Sequence, residues 1–407
     1  MMRLAIIAAS LYGELDRHGG GPLSDAVLAL RDRGHDVTVF SQHPGQEVID
    51  TELAGLPARL IPADRRHPRW YVADKVAKWF YGERKLFTDA CELNRFWERY
   101  APFDAAWALS ELPDSLTAQI AWENKARFVD TSPPLLTTVQ AVRWATARPA
   151  RHGEPERIKR TRPTAMKWAL TAPEIVAANS HLAARWLERD YGIAQVKLAS
   201  YPVNFSRRFL DVLPEPLIEC AADAPIVFFG ALNPTKAPDL FLEAAIELVQ
   251  RGNSDRRFVV IGGRTEKNPR FDQKLETLRQ HPTLKDRVEW TGRLPMEEVL
   301  PSLRGAAVVV LPSRSDTFSR ATIEALAVGT PVVVSTEVGA KEIVEREACG
   351  LIAPLEAGGL AQAIEQALDQ RNALAEKARA LRPWLREHHS PAAAAARIES
   401  LLEACLG

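Results

Sequence analysis

The sequence predicts an α/β fold built from two Rossmann-like, doubly wound domains with parallel sheets. Apolar runs of strand length alternate with amphipathic segments of helix length along the whole chain, as expected for strands joined by crossover helices. At 407 residues the chain exceeds one ordinary domain and is long enough to bury two cores. Polar or glycine-rich loops follow several predicted strands, at the edge where open parallel sheets bind ligands.

The first predicted elements are a strand at 4–9, a helix at 23–33 and a strand at 36–41. The loop between the first strand and the helix contains a run of three glycines that ends at Gly21. It is longer than the roughly two to six residues usual for such a connection. We therefore expect this loop to face a ligand, with Gly20 and Gly21 as binding positions.

The second half alternates more regularly. Its predicted strands lie at 226–229, 257–261, 288–291 and 306–311, and its predicted helices at 238–250, 272–280 and 321–328. Prolines interrupt the periodicity between 201 and 217, which predicts domains at 1–205 and 206–385. A last helical stretch after about Pro383 predicts a C-terminal helix at 386–407, in which a run of five alanines indicates a helix against a close neighbour.

Composition excludes several classes of protein. The 52 acidic and 52 basic residues balance, which argues against a whole-protein nucleic-acid binder. The four cysteines form no CxxC pair, so neither a zinc site nor a disulfide framework is predicted, and a reducing cytoplasm fits. The apolar run after Arg3 is of strand length and leads into a glycine-rich loop, so we interpret it as a first Rossmann strand rather than a signal peptide. No segment approaches the ~18 apolar residues of a membrane span.

The stretch 312–331 is the most informative segment. It places Asp316 and Glu324 eight residues apart, across a loop-to-helix junction at the carboxyl end of a predicted strand. Ionised carboxylates there can accept hydrogen bonds but not donate them, and open α/β sheets bind ligands at this edge. The alternative is that Asp316 caps the helix and Glu324 is a solvated helix residue.

This spacing resembles the acid-x7-acid signature of the retaining glycosyltransferases of family four, the glycosyl transferases group 1. The signature is usually Glu-x7-Glu followed by Ala, a Gly and Thr-Pro-Val, and here Asp316 replaces the first Glu. The resemblance implies a GT-B fold, with two Rossmann-like domains that face each other across a cleft. The first domain would bind the acceptor and the second the donor, and the C-terminal helix at 386–407 would pack back on the first domain. It also implies that Asp316 lies beside the donor sugar, that Glu324 holds the ribose, and that Phe318, Ser319 and Arg320 contact the donor.

A second motif follows the first strand of the second half. A helix N-terminus with a nearby lysine attracts phosphate, and the segment resembles the family's Gly-Arg-Leu-x3-Lys-Gly motif at Gly230, Leu232 and Lys236. The resemblance implies that Lys236 clamps the donor diphosphate; a merely solvated lysine is the alternative. The chain departs from the motif at Ala231, where Arg is expected, and at Ala237, where Gly is expected.

The missing arginine at position 231 matters because loss of such a donor can cost ~3 kcal/mol of transition-state stabilisation. Arg320 and Arg264 are candidates to replace it, and we hypothesise that Arg320 does so. Residues 288–295 resemble the strand and loop that hold the nucleobase, which implicates Arg293 and Leu294. Glu342 belongs to a partial Gly-Gly-x-x-Glu element and either contacts the donor or caps a helix.

The first domain, which the resemblance gives as acceptor-binding, contains less specific motifs than the second. Asp130 stands where many relatives carry a His near both sugars; it is a catalytic candidate that could bind an acceptor hydroxyl or a cationic amino sugar, or it caps a turn. Residues 65–81 and 143–167 are basic and aromatic, which suits an anionic membrane surface or a lipid-linked or phosphorylated acceptor. An ordinary packed helix and a solvated loop explain them equally well.

We therefore predict a metal-independent, hexosyltransferase-type enzyme without a cofactor. It would move a sugar from a nucleotide-diphosphate donor to a saccharide or lipid-linked hydroxyl acceptor with retention, in bacterial glycolipid, lipopolysaccharide or exopolysaccharide synthesis. It would be cytoplasmic, either soluble or peripheral at the inner face of the membrane. The chain lacks an HExxH motif, a GxGxxG motif after the first strand and a Walker A lysine. These absences argue against a zinc enzyme of the HExxH type, a dinucleotide-dependent oxidoreductase and a P-loop NTPase. The alternatives are a degenerate GT-B binding or scaffold protein, and a GT-B epimerase or pyridoxal-phosphate phosphorylase.

Overall fold

The chain divides into two compact α/β units. In the computed structural model, the described residues are 1–8, 11–12, 21–63, 86–109, 135–139, 167, 169–170, 173–201, 203–217, 221–252, 255–264 and 268–406. One unit comprises Met1–Arg208 and His389–Gly407, and the other Phe209–His388. The divisions lie three residues beyond the boundaries that the sequence suggested, because a short helix spans the first of them and a long helix ends at the second.

The first unit contains an eight-stranded sheet of order β3-β4-β2-β1-β5-β6-β7-β8. Its strands are β1 Arg3–Ile7, β2 Asp36–His43, β3 Ile49–Leu53, β4 Leu56–Pro62, β5 Ala105–Ala108, β6 Leu135–Val139, β7 Ile175–Ala178 and β8 Leu198–Ser200. Its helices are α1 Pro22–Asp32, α2 Leu86–Tyr100 and α3 His181–Tyr191, and α4 Arg207–Val212 crosses into the second unit. Every strand pair is parallel except the edge pair β3–β4.

The second unit contains a six-stranded parallel sheet of order β11-β10-β9-β12-β13-β14. Its strands are β9 Ile226–Phe229, β10 Phe258–Ile261, β11 Val288–Gly292, β12 Val308–Leu311, β13 Val332–Ser335 and β14 Gly350–Ala353. Its helices are α5 Pro238–Gln250, α6 Pro269–Arg279, α7 Met296–Arg304, α8 Arg320–Ala327, α9 Lys341–Glu347, α10 Ala357–Asp369 and α11 Arg371–His388.

Buried β-branched side chains explain the central strands of this sheet. Every residue of β12 and of β13 is buried, as expected for parallel strands that helices cover on both faces. The helices α5 and α10 contribute apolar side chains to the same cluster as the strands. This cluster includes Leu240, Phe241, Leu248, Leu360, Ile364, Phe228, Phe258 and Val310.

The direction of strand addition reverses between β9 and β12. From β9 the chain adds β10 and β11 on one side, and then returns to place β12, β13 and β14 on the other. Neighbouring residues of the two strands are in register, for example Ile226 with Val308 and Phe228 with Val310. The loops that leave β9 and β12 therefore flank a topological switch point, where open α/β sheets bind ligands.

The C-terminal helix α12, Pro391–Leu406, packs within the first unit. Its small and apolar side chains share a buried cluster with α1, including Ala394, Ala395, Ile398, Val27 and Leu30. Glu399 accepts a hydrogen bond from His35 Nε2 at 2.9 Å. Small side chains allow this close helical contact.

One predicted helix boundary was wrong. Pro383 was expected to mark the start of the last helical stretch, but it lies inside α11, which continues to His388. The proline removes one backbone hydrogen bond. The buried side chains of Leu381 and Leu385 compensate for it by anchoring the helix on both sides of the proline. No helix among the described residues is long and apolar enough to cross a membrane.

Candidate functional site

The loop after β9 folds back on itself ahead of α5. The backbone N–H of Leu232 donates to Gly263 O at 3.0 Å, which holds the loop against the end of β10. The side chain of Asn233 accepts a hydrogen bond from the backbone N–H of Lys236 at 3.0 Å, as in an Asx turn. Ala237, the N-cap of α5, has a left-handed φ of 56°. This turn places Lys236 at the carboxyl edge of the sheet, next to the switch point.

Glycines let the ends of three strands approach closely. Gly262 has φ +152°, and a Cβ there would lie 1.8 Å from Gly230 O. Its N–H donates to Gly292 O at 2.9 Å. A side chain at position 262 would push the β9 loop away from β10, so this glycine is a requirement of the site's geometry.

The loop after β12 is tied to the loop after β13. The N–H of Asp316 donates to Glu337 O at 3.0 Å, and the N–H of Gly339 donates to Asp316 O at 3.0 Å. Ala340 N–H donates to Phe318 O at 2.7 Å. These bonds make the backbone around Asp316 an extension of the sheet rather than a free loop.

The side chains of Lys236 and Asp316 meet across the switch point. Lys236 Nζ donates to Asp316 Oδ2 in an ion pair between residues 80 positions apart. The two side chains are 33% and 12% exposed, respectively, so the pair is partly shielded from water. Lys236 is thus not simply solvated. Nor does Asp316 cap α8, because the N-cap is Ser319.

A second ion pair joins Arg314, in the loop after β12, to Asp239 in the first turn of α5. Arg314 donates to both carboxylate oxygens of Asp239, at 2.8 Å and 2.9 Å, and to Pro234 O at 2.9 Å. Lys274 of α6 donates to Asp239 Oδ2 at 2.6 Å. Sequence reasoning missed all three residues. An acid in the first turn of a helix is an ordinary feature, and nothing local indicates its distant partner.

The carboxyl group of Asp239 is buried. Burial alone would raise its pKa, but hydrogen bonds from Arg314 and Lys274 outweigh that cost and lower the pKa below its usual range. The carboxylate therefore stays ionised, and it holds Arg314 in place as a fixed anchor.

Glu324 lies on α8, one turn after Arg320, and is partly buried. Burial raises the pKa of its carboxyl group, and the positive charge of Arg320 acts in the opposite direction. Glu324 is therefore not the solvated helix residue of the alternative interpretation. Its protonation can change at a higher pH than that of an exposed glutamate.

The N-terminus of α8 points into the same region. Ser319 has φ 79° and ψ 88° and makes no side-chain cap to the helix. The first N–H groups of a helix lack intrahelical acceptors, and with the helix dipole they attract anions. Phe318 is buried just before this turn, and Arg320, the first helical residue, is exposed. A cation, an acid and a helix N-terminus thus converge at the switch point.

Residues 224–370 match the family described as Glycosyl transferases group 1. This part of the chain belongs to the glycosyl transferases group 1. The family resemblance found in the sequence is thereby confirmed for the second unit.

Curated relatives that this chain is similar to include two D-inositol 3-phosphate glycosyltransferases. The one from Frankia alni is 34% identical over 130 residues, which are 31% of this chain and 32% of the relative. The one from Nocardia farcinica is 27% identical over 338 residues, which are 80% of this chain and 71% of the relative. The chain thus aligns with about a third of the length of the first relative.

Solved structures establish the fold. Sucrose-phosphate synthase from Thermosynechococcus elongatus has a TM-score of 0.71 at 20% identity, over 99% of both chains. The Anabaena protein HepE in complex with UDP has a TM-score of 0.68 at 16% identity, over 99% of this chain and 100% of that one. The fold is of the GT-B type with two Rossmann-like domains, as predicted.

The other predicted site residues of the second unit follow β10, β11 and β13. Arg264 follows β10 and pairs with Asp272 at 3.3 Å, while Arg293 and Leu294 follow the edge strand β11. Glu342 lies in the first turn of α9, where the N-cap is Ala340. Its N–H donates to Gly339 O at 3.3 Å, which joins it to the backbone network around Asp316.

The first unit carries the remaining candidates. Gly21 is the N-cap of α1 and donates its N–H to Ser24 Oγ at 2.6 Å. Gly20, Asp130, residues 65–81 and all but the last residue of 143–167 lie outside the described residues. Within the described ranges, no three His, Cys, Asp or Glu side chains are grouped so that they could hold a metal ion.

Proposed function

We propose that this protein is a retaining glycosyltransferase that moves a sugar from a nucleotide-diphosphate donor to a hydroxyl acceptor. The observation that carries the proposal is the contact between Lys236 and Asp316 at the switch point. A cation for phosphate and an acid for sugar hydroxyls stand side by side there, at the edge of the sheet where such ligands bind. Membership of residues 224–370 in a glycosyl transferase family supports the same chemistry.

Phosphate binding falls to Lys236 and the N-terminus of α8. The ammonium group of Lys236 is a compact charge that neutralises phosphate oxygens as the diphosphate leaves. The N–H groups that follow Ser319 donate hydrogen bonds, and the dipole of α8 favours negative charge at this end. Together they stabilise charge that develops on the leaving group, which is how such a site lowers the reaction barrier.

The two acids orient the donor. Asp316 accepts hydrogen bonds from hydroxyl groups of the sugar, and Glu324 accepts them from the ribose. In the transfer step the bond between the anomeric carbon and the phosphate oxygen breaks, and a bond from the acceptor oxygen forms on the same face. The acceptor proton passes to the departing phosphate oxygen, so this step requires no protein base, metal ion or cofactor.

The comparisons suggest which substrates to test first. UDP is bound in the HepE structure, and the curated relatives are named for D-inositol 3-phosphate. We propose UDP-sugars as first donors and phosphorylated polyols, saccharides and lipid-linked saccharides as first acceptors. A role in bacterial glycolipid, lipopolysaccharide or exopolysaccharide synthesis is part of this proposal. So is a cytoplasmic location, with binding to anionic membranes through 65–81 and 143–167, which co-sedimentation with anionic against neutral liposomes tests.

Thermal unfolding with UDP, GDP and ADP, and then a transfer assay with the matching sugar donors, tests the proposed function. A nucleotide at ~100 times its dissociation constant adds ~2.7 kcal/mol to the stability of the native state. Lys236→Ala should lose most of that gain, whereas Lys285→Ala, which removes an exposed lysine of the same unit, should keep it. NMR of the product's anomeric carbon then reports retention or inversion.

Two outcomes favour other functions. Nucleotide binding without turnover on any acceptor would favour a degenerate binding or scaffold protein. A visible absorption band from a lysine-bound pyridoxal phosphate would favour a phosphorylase. The absence of any nucleotide-dependent stabilisation would contradict the proposal outright.

A further inference from the structure

The cations around the switch point are mostly engaged. Lys236 is paired with Asp316, so an acid already offsets part of its charge before a donor binds. Arg314 is held by both oxygens of Asp239. Arg264 is paired with Asp272. A diphosphate brings at least two negative charges, whereas each of these three cations already has an acidic partner.

Arg320 differs from these residues. It is the first residue of α8 and is exposed, and no hydrogen bond or ion pair to another described residue engages its guanidinium group. Its positive charge acts on Glu324, one turn farther along the helix. Helical side chains lean toward the N-terminal end of their helix. From the first helical position, this direction leads toward the turn at Ser319 and the switch point.

We propose that Arg320 binds the donor diphosphate directly, as the guanidinium donor of this site. The inference rests on the proposed function and adds to it a residue that supplies charge and two parallel hydrogen bonds to phosphate oxygens. It also explains how the site can function with Ala231. In the family's Gly-Arg-Leu-x3-Lys-Gly motif this position is an Arg, and in this chain it carries no charge. The chain thus supplies the guanidinium from α8 instead of from the β9 loop.

A loss of Arg320 could also act through Glu324, because the two residues interact. Inorganic pyrophosphate separates the two routes. It has no ribose for Glu324 to hold, so an effect of Arg320 on pyrophosphate binding reports contact with the phosphates. Comparison of nucleoside diphosphates with monophosphates also distinguishes the two routes, because both ligands contain the ribose but differ in the number of phosphates.

The experiment is calorimetric titration of the full-length protein with pyrophosphate and with UDP, GDP, ADP and their monophosphates. Arg320→Ala should weaken pyrophosphate and diphosphate binding by roughly tenfold or more, as expected for charge-assisted hydrogen bonds, and monophosphate binding by less. Arg320→Lys should recover part of the affinity, because lysine keeps the positive charge but lacks the two parallel N–H donors of the guanidinium group. Arg386→Ala removes an exposed arginine of α11 and should change nothing.

A double substitution sharpens the test. If Arg320 does the work that an arginine at position 231 would do, Ala231→Arg should restore diphosphate affinity to Arg320→Ala. The same substitution in the wild-type protein should improve affinity less. The unfolding temperature without ligand should be unchanged in Arg320→Ala, since the side chain is exposed, and Arg320→Gln provides a second neutral variant.

The outcomes separate the two proposals. If wild type and Arg320→Ala bind pyrophosphate or the nucleoside diphosphate with equal affinity, the role of Arg320 is overturned. The proposed function is left intact by that result. Binding of pyrophosphate but of no nucleotide would overturn the proposed function. The ratio of the pyrophosphate affinities of wild type and Arg320→Ala would then still test the role of Arg320. Binding of neither ligand would overturn both.

Discussion

Arg314 donates two hydrogen bonds to the buried carboxylate of Asp239, at 2.8 Å and 2.9 Å. The same guanidinium donates to Pro234 O, and the backbone N–H of Arg314 donates to Thr235 O at 2.8 Å. The loop that carries Lys236 and the loop that carries Asp316 are therefore joined twice, once by the ion pair between those two residues and once by Arg314, which is anchored on the buried Asp239.

Loss of this anchor should weaken both the fold and the site. Asp239→Asn should cost about 2 kcal/mol or more of unfolding free energy, because Arg314 and Lys274 both lose the charge of a buried partner. Nucleotide affinity should fall as the two loops separate. Asp223→Asn is the matched control, since Asp223 pairs with Arg257 at 3.4 Å while 81% exposed, and it should cost almost nothing. Similar unfolding free energies for the two variants would contradict the anchor.

The same anchor predicts a pH dependence. The pKa of Asp239 is lowered in the folded protein, so its contribution to stability is present above the pKa of the unfolded chain. That contribution is lost as the pH falls through the folded value. Acid unfolding of Asp239→Asn, followed by circular dichroism, should depend less on pH than that of the wild type in this range. Parallel curves would show that the pair contributes nothing.

Glu324 should behave in the opposite sense. Burial raises its pKa, so its titration favours the folded state below the unfolded pKa, and this benefit disappears as the pH rises through the folded value. Glu324→Gln should therefore keep or raise the unfolding temperature at neutral pH while it weakens nucleotide binding. Wild-type nucleotide affinity should fall as the pH is lowered toward the raised pKa, and the variant should lack this dependence. Glu376→Gln, at an exposed position of α11, is the control.

Gly262→Ala should disrupt the ends of three strands. The added Cβ would lie 1.8 Å from Gly230 O, so the backbone must shift, and we expect a loss of about 3 kcal/mol or more together with nucleotide binding. Gly252→Ala is the control, because Gly252 has φ +109° but nothing within 4 Å of its Cβ position. Its cost should be limited to backbone strain of about 1–2 kcal/mol. Unfolding in urea compares the two.

Ala237 should tolerate glycine unusually well. It is buried and has φ 56°, a conformation that costs an L-residue about 1–2 kcal/mol and glycine almost nothing. Relief of this strain should offset the lost methyl group. Ala244→Gly, at an equally buried position within α5, loses its methyl group and also about 1 kcal/mol of helix propensity. Equal destabilisation of both variants would argue against strain at Ala237.

Local patterns were sufficient for most elements of the fold. The predicted helix 238–250 matches α5, which begins at Pro238, because a proline at the first helical position is a strong local signal. The helix predicted at 272–280 begins earlier, at Pro269, since Asn268 accepts a hydrogen bond from Phe271 N–H at 3.2 Å and caps it. Pro383 misled the prediction because tertiary packing of α11 outweighs the local cost of a proline.

The two site motifs could also be predicted from the sequence, because each is a continuous segment that ends a strand and begins a helix. The contacts between the two segments could not be predicted. The sequence itself determined the alternation of strands and helices, the family resemblance of the second half, and the candidates Lys236, Asp316 and Glu324. Each of these predictions depends on residues that are close to one another in the sequence.

Only the tertiary structure decided that Lys236 pairs with Asp316, that Arg314 anchors on Asp239, and that burial raises the pKa of Glu324. The physical reason is strand order. The alternation of elements predicts parallel sheets but leaves open which strands are neighbours. Once β12 lies beside β9, loops some 80 positions apart share one edge, and their charges interact at contact distance.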